Sequence, residues 1–256
     1  MRAPKQKRDW NELAELDPMW AVLSERDRQF GQWSSEEFFA TGAEEVSDLT
    51  ATLLELGFSQ KLGNALDFGC GLGRLTRALP RLCGDVVGVD ISEAMLERAR
   101  SLNPDCQFIF NPYPDLRLFP DDRFELVYSR RVLQHQHSIS AILDYVSEFV
   151  RVLKPGGVAA FQIPSHIPLL HRIQPRRRTY RALRAIGVAP QKLYRWKLHP
   201  ICMTAVPVQA VSAAVEEAHG RIMLVKSDDS CPGIVSKFYF VSKLPYKSRP
   251  VPQGTY

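Results

Sequence analysis

Residues 65–75 read ALDFGCGLGRL and place three glycines, Gly69, Gly71 and Gly73, directly after a short apolar run. Glycine weakens strands and helices, so three of them within five residues indicate a backbone that must pass close to a ligand. A glycine-rich turn that joins a strand to a helix is typical of nucleotide-binding sites.

Short apolar runs alternate with helical patterns on both sides of this turn. This alternation predicts βαβ units and therefore an α/β fold of the Rossmann-like, doubly wound kind, with a mostly parallel sheet. The last two apolar runs, RIMLVKS and KFYFVSK, have no helix between them and predict an antiparallel hairpin at the sheet edge. The other predicted strands are 65–68, 85–90, 107–110, 124–129 and 157–163, and the predicted helices are 43–57, 74–82, 92–102, 139–153 and 207–219.

Two acids restrict the ligand of the glycine turn. Asp90 ends the second predicted strand, where its carboxylate can accept hydrogen bonds from both hydroxyls of a ribose. Asp67 lies two residues before Gly69, and the glycines follow a GxGxG pattern rather than the GxGxxG pattern of dinucleotide-binding loops. Because a carboxylate beside the loop would repel a pyrophosphate, a cationic ligand with an ammonium and a sulfonium group is favoured.

Four segments in the right order resemble the motifs of class I S-adenosylmethionine-dependent methyltransferases. They are LDFGCGLGRLTRAL at 66–79, VVGVDISEAML at 86–96, FPDDRFELVYSRRVLQH at 119–135 and RVLKPGG at 151–157. The resemblance implies a seven-stranded sheet with a reversed last hairpin, and methyl transfer from S-adenosylmethionine.

The resemblance also implies a set of cofactor-binding residues. The methionine part of the cofactor would be held by Asp67, Gly69, Cys70 and Gly71, the ribose by Asp90, and the adenine by Ile91 and Met95. Asn111 lies near the position where many relatives have an acid facing the adenine amino group, and Ser129 would end the fourth strand beside the reactive methyl.

The segment after the fourth strand bears on the reaction. His135 is a candidate catalytic base, and the alternative is that it holds its loop together. His135 and His137 are two residues apart and would point in different directions on a helix, so no metal site is expected. The acidic-Pro-Pro-aromatic tetrad typical of amino-methylation is absent, and SRRV at 129–132 takes its place, which favours an oxygen nucleophile.

A basic segment at 164–203 is predicted to be an insertion that roofs the acceptor site. No acid occurs between Glu148 and Glu216, and Arg177 and Arg181 lie near one helical face as candidate acceptor-binding residues. The ligand of this segment could be an acidic small molecule or glycan, or an RNA backbone, or the charges could be a solvated face. A non-catalytic S-adenosylmethionine-binding regulator would have the same glycine loop. The segment between the two acids carries eleven cations: Arg151, Lys154, Arg172, Arg176, Arg177, Arg178, Arg181, Arg184, Lys192, Arg195 and Lys197.

The remaining expectations concern organisation and location. Residues 1–42, which are rich in Trp and Phe, are predicted to form a helical cap that serves either as a lid or only as part of the core. Residues 43–245 are predicted to form the methyltransferase domain, and residues 246–256 a Pro-rich tail. No apolar run is long enough to span a membrane, and the basic first residues lead into no apolar stretch. The five scattered cysteines favour a reducing, cytoplasmic location. Oligomeric state is left open.

Overall fold

The computed structural model describes residues 5–25, 27–228 and 233–245, so the predicted Pro-rich tail lies outside the described residues. The strands are β1 Ala65–Phe68, β2 Val86–Asp90, β3 Gln107–Phe110, β4 Phe124–Ser129, β5 Leu153–His166, β6 Gly220–Asp228 and β7 Val235–Lys243. The helices are α1 Lys5–Leu16, α2 Pro18–Val22, α3 Ser35–Glu55, α4 Glu93–Leu102, α5 Ile139–Val152, α6 Leu169–Ile173, α7 Pro175–Ala185, α8 Pro190–Arg195 and α9 Val208–Glu217.

The seven strands form one sheet in the order β3-β2-β1-β4-β5-β7-β6. The first five strands in this order pair in parallel, whereas β7 is antiparallel to both β5 and β6. The predicted α/β fold with an antiparallel last hairpin is thus confirmed. Since strand order reverses on either side of β1, the carboxyl ends of β1, β2 and β4 frame the crevice where ligands bind in such sheets.

Alternate residues along the central strands build two separate cores. Leu66 and Val127 face a core that includes α5 and α9, whereas Ala65 and Leu126 face a core that includes α3. The sheet is therefore covered on both faces, and its open positions are the strand ends.

The prediction of a regular helix at 74–82 is wrong. The structure has a series of turns there, followed by a short 3-10 helix at Leu79–Arg81. Pro80 has no N–H to donate and restricts the residue before it, so a regular helix cannot continue through this point. Leu79 and Leu82 are nevertheless buried, which explains the helical periodicity of the sequence.

The N-terminal segment and the basic segment are joined to each other. Helix α7 of the basic segment pairs with α1 through Arg181–Asp9 at 3.1 Å and Arg184–Glu12 at 2.9 Å. Helix α3 runs through residue 42, where the sequence placed the end of the cap. The division into a cap, a domain and an insertion stays a prediction. Among the described residues, no helix is long and apolar enough to cross a membrane.

Candidate cofactor and acceptor site

A cleft with about 750 Å³ of empty space lies at the carboxyl ends of the strands. The lining residues come from α1, α2, α4 and α5, from the ends of β1 and β2, and from the loops that follow β1, β2, β3 and β4: Gln6, Trp10, Ala21, Val22, Phe68, Gly69, Gly71, Val89, Asp90, Ile91, Met95, Asn111, Arg130, Arg131, Val132, His135, Gln136 and Tyr145.

The glycine loop after β1 needs glycine for two reasons. Gly69 and Gly71 have φ angles of +75° and +53°, in the left-handed region that side chains disfavour. A Cβ atom at Gly69 would overlap Val132, and one at Gly71 would lie 2.8 Å from Val22. The loop is thereby kept narrow, and both glycines line the cleft.

Asp90 is fixed at the end of β2 with its carboxylate beside this loop. Its oxygens accept hydrogen bonds from the backbone N–H of Gly71 at 2.9 Å and of Ser92 at 2.8 Å. Burial raises the pKa of Asp90, and these backbone hydrogen bonds oppose the rise. Each carboxylate oxygen has a further lone pair, and so Asp90 can still accept from hydroxyl groups of a ligand in the cleft.

Three further residues from the predicted adenine side also line the cleft: Ile91, Met95 and Asn111. The side chain of Asn111 is held by its own loop, since its Nδ2 donates to the Asp115 carbonyl at 2.7 Å and its Oδ1 accepts from Tyr113 N–H at 3.1 Å. These bonds fix the Asn111 side chain at the cleft wall.

Asp67, Cys70 and Ser129 lie beneath the loop and are not among the lining residues. Asp67 accepts a 2.6 Å hydrogen bond from the Thr76 hydroxyl, and burial raises its pKa to about 7. Burial also raises the pKa of the Cys70 thiol, and the Ser129 hydroxyl donates to the Phe68 carbonyl at 3.2 Å. All three side chains are buried at or next to the loop, and their direct contact with a cofactor stays a prediction.

His135 lines the cleft but is also bound to the basic segment. Its Nδ1 lies 2.7 Å from the Cys202 carbonyl oxygen, and its ring packs edge-on against Trp10 at 5.3 Å. Burial lowers the pKa of His135 to about 4, whereas its hydrogen bonds to the Cys202 and Arg131 backbones oppose the shift. A neutral imidazole held in this way fits a residue that fixes its loop; its role as a base stays a prediction.

Arg177 and Arg181, the acceptor-binding candidates, lie outside the lining of the cleft. Arg177 donates to Gln174 Oε1 at 2.7 Å and to the Pro200 carbonyl at 3.1 Å, while Arg181 pairs with Asp9. In the structure Arg177 therefore joins parts of the basic segment to each other, and Arg181 joins the segment to α1.

The sequence interpretation did not assign a role to Arg130 and Arg131, which line the cleft directly after β4. Arg130 forms ion pairs of 3.2 Å with both Glu45 and Asp228. Arg131 has a φ of +59°, and its N–H donates to Gln162 Oε1 at 3.0 Å. The signal in the sequence was the SRRV segment itself, with two cations at the end of the fourth strand.

The residues present fit S-adenosylmethionine. Asp90 is the only acid among the lining residues, the glycine loop lets a ligand approach the backbone, and Ile91 and Met95 provide an apolar wall. This set matches a ribose beside an acid and an adenine against aliphatic side chains. The class of protein that this fold and cleft define is a Rossmann-like nucleotide-binding protein.

Comparisons with known proteins narrow this class. Residues 66–161 match a family model described as a methyltransferase domain. The chain is 32% identical over 138 residues to trans-aconitate 2-methyltransferase of Enterobacter sp. (strain 638), which covers 53% of this chain and 52% of that protein. It is 31% identical over 135 residues to malonyl-[acyl-carrier protein] O-methyltransferase of Salmonella typhimurium, covering 52% of this chain and 50% of that one.

The chain thus spans about half the length of the curated relatives that it matches. The fold of magnesium protoporphyrin IX methyltransferase from Synechocystis PCC 6803, solved with bound S-adenosylhomocysteine, superposes with a TM-score of 0.59 at 15% identity, covering 93% of this chain and 97% of that chain. Residues 66–161 are thus a methyltransferase domain, in agreement with the motifs, and the chain has the fold of S-adenosylmethionine-dependent methyltransferases. The cofactor of such methyltransferases is S-adenosylmethionine, and the Synechocystis enzyme has also been solved with it bound.

Proposed function

We propose that this protein transfers a methyl group from S-adenosylmethionine to a carboxylate oxygen of a small acidic acceptor. The observation that carries the proposal is that Arg131 lines the cleft directly after the strand that the resemblance places beside the reactive methyl, next to Arg130, whose guanidinium pairs with Glu45 and Asp228. Arginine binds both oxygens of a carboxylate through its planar fork of N–H donors.

The network behind these arginines supports a positioning role. Gln162 accepts from the N–H of Arg131 and donates to Asp228 at 2.8 Å, and Asp228 in turn pairs with Arg130. The left-handed backbone of Arg131 is thereby held by β5 and β6. A residue kept in such a conformation by its surroundings is a frequent feature of ligand-binding sites.

A carboxylate acceptor also agrees with the weak basicity of His135. Carboxylic acids have already lost their proton near neutral pH, and so the nucleophile needs no general base. Bound S-adenosylmethionine supplies an electrophilic methyl group on its sulfonium. The contribution of the protein is then to orient the acceptor with Arg131 and to exclude water with Trp10 and Tyr145.

The named relatives also favour a carboxylate acceptor. Aconitate and the malonyl group both carry carboxylates, and one of these relatives is named an O-methyltransferase. A glycan or RNA acceptor, and a regulator without turnover, remain the alternatives. A cytoplasmic location likewise stays a prediction.

The experiment is to measure formation of S-adenosylhomocysteine with a panel of small di- and tricarboxylates, including trans-aconitate, against sugar phosphates and RNA. Among the carboxylates that turn over, Arg131→Gly should raise the acceptor KM about tenfold or more, because a charge-assisted hydrogen bond is worth roughly 1.5–3 kcal/mol. Glycine keeps the positive φ without strain, so affinity for S-adenosylhomocysteine should stay unchanged.

The control is the pair Arg177→Gln and Arg181→Gln, which removes charge outside the cleft. If this pair raises the acceptor KM and Arg131→Gly does not, the acceptor lies under the basic segment. Turnover with phosphates or RNA but with no carboxylate would overturn the proposal, and tight S-adenosylhomocysteine binding without any turnover would favour the regulator.

A further inference from the structure

The outer surface of the basic segment exposes large apolar side chains. Leu169 and Leu170 of α6 are 68% and 67% exposed, and Ile186 after α7 is 77% exposed. Single exposed aliphatic residues are common on protein surfaces, but several in one segment indicate a surface that meets an apolar partner. Ile173 and Trp196 are exposed as well. We call these five residues, together with the exposed Ala182 and Ala185 of α7, the outer face.

Helix α7 turns two of its arginines toward the protein and leaves two small residues exposed. Its Arg181 and Arg184 turn toward the protein and pair with acids of α1, whereas Ala182 and Ala185 are exposed. A surface helix normally buries its apolar stripe and exposes its charges. Two of the charges of α7 are thus used within the fold, and its exposed side carries Ala182 and Ala185 beside Arg176 and Arg178.

Cations lie among these apolar residues. In the part of the chain that the structure describes, six exposed Lys and Arg side chains of the segment make no ion pair with an acid, and no acid occurs from 149 to 215. These cations are Arg172, Arg176, Arg178, Lys192, Arg195 and Lys197. The surface therefore combines uncompensated positive charge with exposed aliphatic and indole groups.

We propose that the outer face docks onto an anionic lipid bilayer. Leu169 and Leu170 would enter the boundary of the acyl chains, and Arg172, Arg176 and Arg178 would bind headgroup phosphates. Interfacial membrane segments combine Leu and Trp with Lys and Arg in this way. Protein interfaces instead separate a charge-depleted core from a polar rim, and here cations and aliphatic residues are interspersed along one segment.

The contacts of the segment relate this surface to the cleft. The carbonyl oxygen of Cys202, within the segment, lies 2.7 Å from His135 Nδ1, and the hydroxyl of Thr204, just after the segment, donates to the Gln136 carbonyl at 2.7 Å. The loop that lines the cleft is therefore bonded to the segment that carries the outer face. Docking would hold the cleft near the lipid surface, whatever the chemistry of the acceptor, so the inference does not depend on the proposed carboxylate.

The test is co-sedimentation of the full chain with vesicles of phosphatidylcholine alone and of equal parts phosphatidylcholine and phosphatidylglycerol. We expect sedimentation with the anionic vesicles only, and release at high salt. The triple variant Leu169→Ser, Leu170→Ser, Ile173→Ser should lower vesicle binding about tenfold or more, since each leucine buried in the interface contributes roughly as a buried side chain does. The pair Arg176→Gln, Arg178→Gln should lower it to a similar extent, about tenfold.

Matched controls come from exposed residues elsewhere. Leu54→Ser with Leu118→Ser removes exposed aliphatic groups, and Arg81→Gln with Arg98→Gln removes two exposed charges. Both control pairs should bind vesicles like the wild type. The inference is overturned if the wild type stays in the supernatant with anionic vesicles, which would leave the outer face to an acidic protein, or if the control pairs lose binding as much as the outer-face variants.

Discussion

Asp90 illustrates how one side chain serves both the loop and the ligand. It holds the Gly71 and Ser92 N–H groups and lines the cleft. Asp90→Asn keeps one acceptor oxygen and removes the charge, so the chain should fold while affinity for S-adenosylhomocysteine falls about tenfold or more, as expected for lost charge-assisted hydrogen bonds. Calorimetric titration measures this change.

Asp85→Asn provides the comparison, because Asp85 is an exposed acid just before the same strand. It should bind S-adenosylhomocysteine as the wild type does. Equal affinity in the Asp90 variant would mean that this carboxylate serves only the loop.

Site residues that are close together in the sequence could be predicted from their spacing, whereas residues positioned by distant strands could not. The glycines and Asp90 belong to one continuous stretch around the first two strands, so their spacing alone indicated a ribose-bearing ligand. The position of Arg131 depends on Gln162 and Asp228, which come from strands far along the chain. The sequence contains no local trace of that contact, and neither does it show that Trp10 reaches His135.

At the scale of elements, the loop after β1 is the most constrained part of the sheet edge. Gly69→Ala adds a side chain at a positive φ and against Val132, and we expect the unfolding free energy to fall by more than about 2 kcal/mol. Gly57→Ala separates the cost of the positive φ from the cost of the contact with Val132, because Gly57 has a φ of +86° with nothing within 4 Å of an added Cβ.

Gly57→Ala should therefore cost only the backbone term, about 1 kcal/mol. Urea unfolding of both variants measures the difference. Equal losses would show that Val132 moves aside without cost and that the loop is less tightly packed than its contacts indicate.

The elements that sequence predicted well are those with a strong period and a clear end. The apolar runs became strands, and the stripe of α5 ends at Val152, just before the Lys-Pro-Gly-Gly sequence with which β5 begins. The segment 74–82 had the same kind of stripe, but Pro80 interrupts its backbone hydrogen bonds. Periodicity reports which side chains are buried, and it does not by itself report the backbone path.

For the whole molecule, buried titratable groups set the dependence of stability on pH. Burial raises the pKa of Asp67 to about 7, so between 3.8 and about 7 the folded chain holds a proton that the unfolded chain releases. Stability therefore falls as pH rises through this range. Burial lowers the pKa of His135 and His199 to about 4, which removes stability as pH falls below their ordinary value of 6.5.

Between pH 6.5 and about 8 the acid and histidine contributions oppose each other, because Asp67 loses its proton in the folded chain while the histidines of the unfolded chain lose theirs. A variant isolates the acid contribution. Over this range we expect the unfolding free energy of Asp67→Asn, which mimics the protonated acid, to rise by roughly 1 kcal/mol relative to that of the wild type. Asp105→Asn, at an exposed acid, should follow the wild type. Urea unfolding across this pH range measures the difference, and an Asp67→Asn variant that changes in parallel with the wild type would contradict the prediction.

The ion pairs between α1 and α7 restrict how the sequences of these two helices can change during evolution. Asp9 meets Arg181 and Glu12 meets Arg184, in each case 172 positions apart in the chain. If the basic segment were replaced by one without these arginines, α1 would keep two uncompensated carboxylates beside the cleft. The two segments are therefore expected to be inherited as a unit, and grafting either one onto another methyltransferase requires transplanting its counterpart as well.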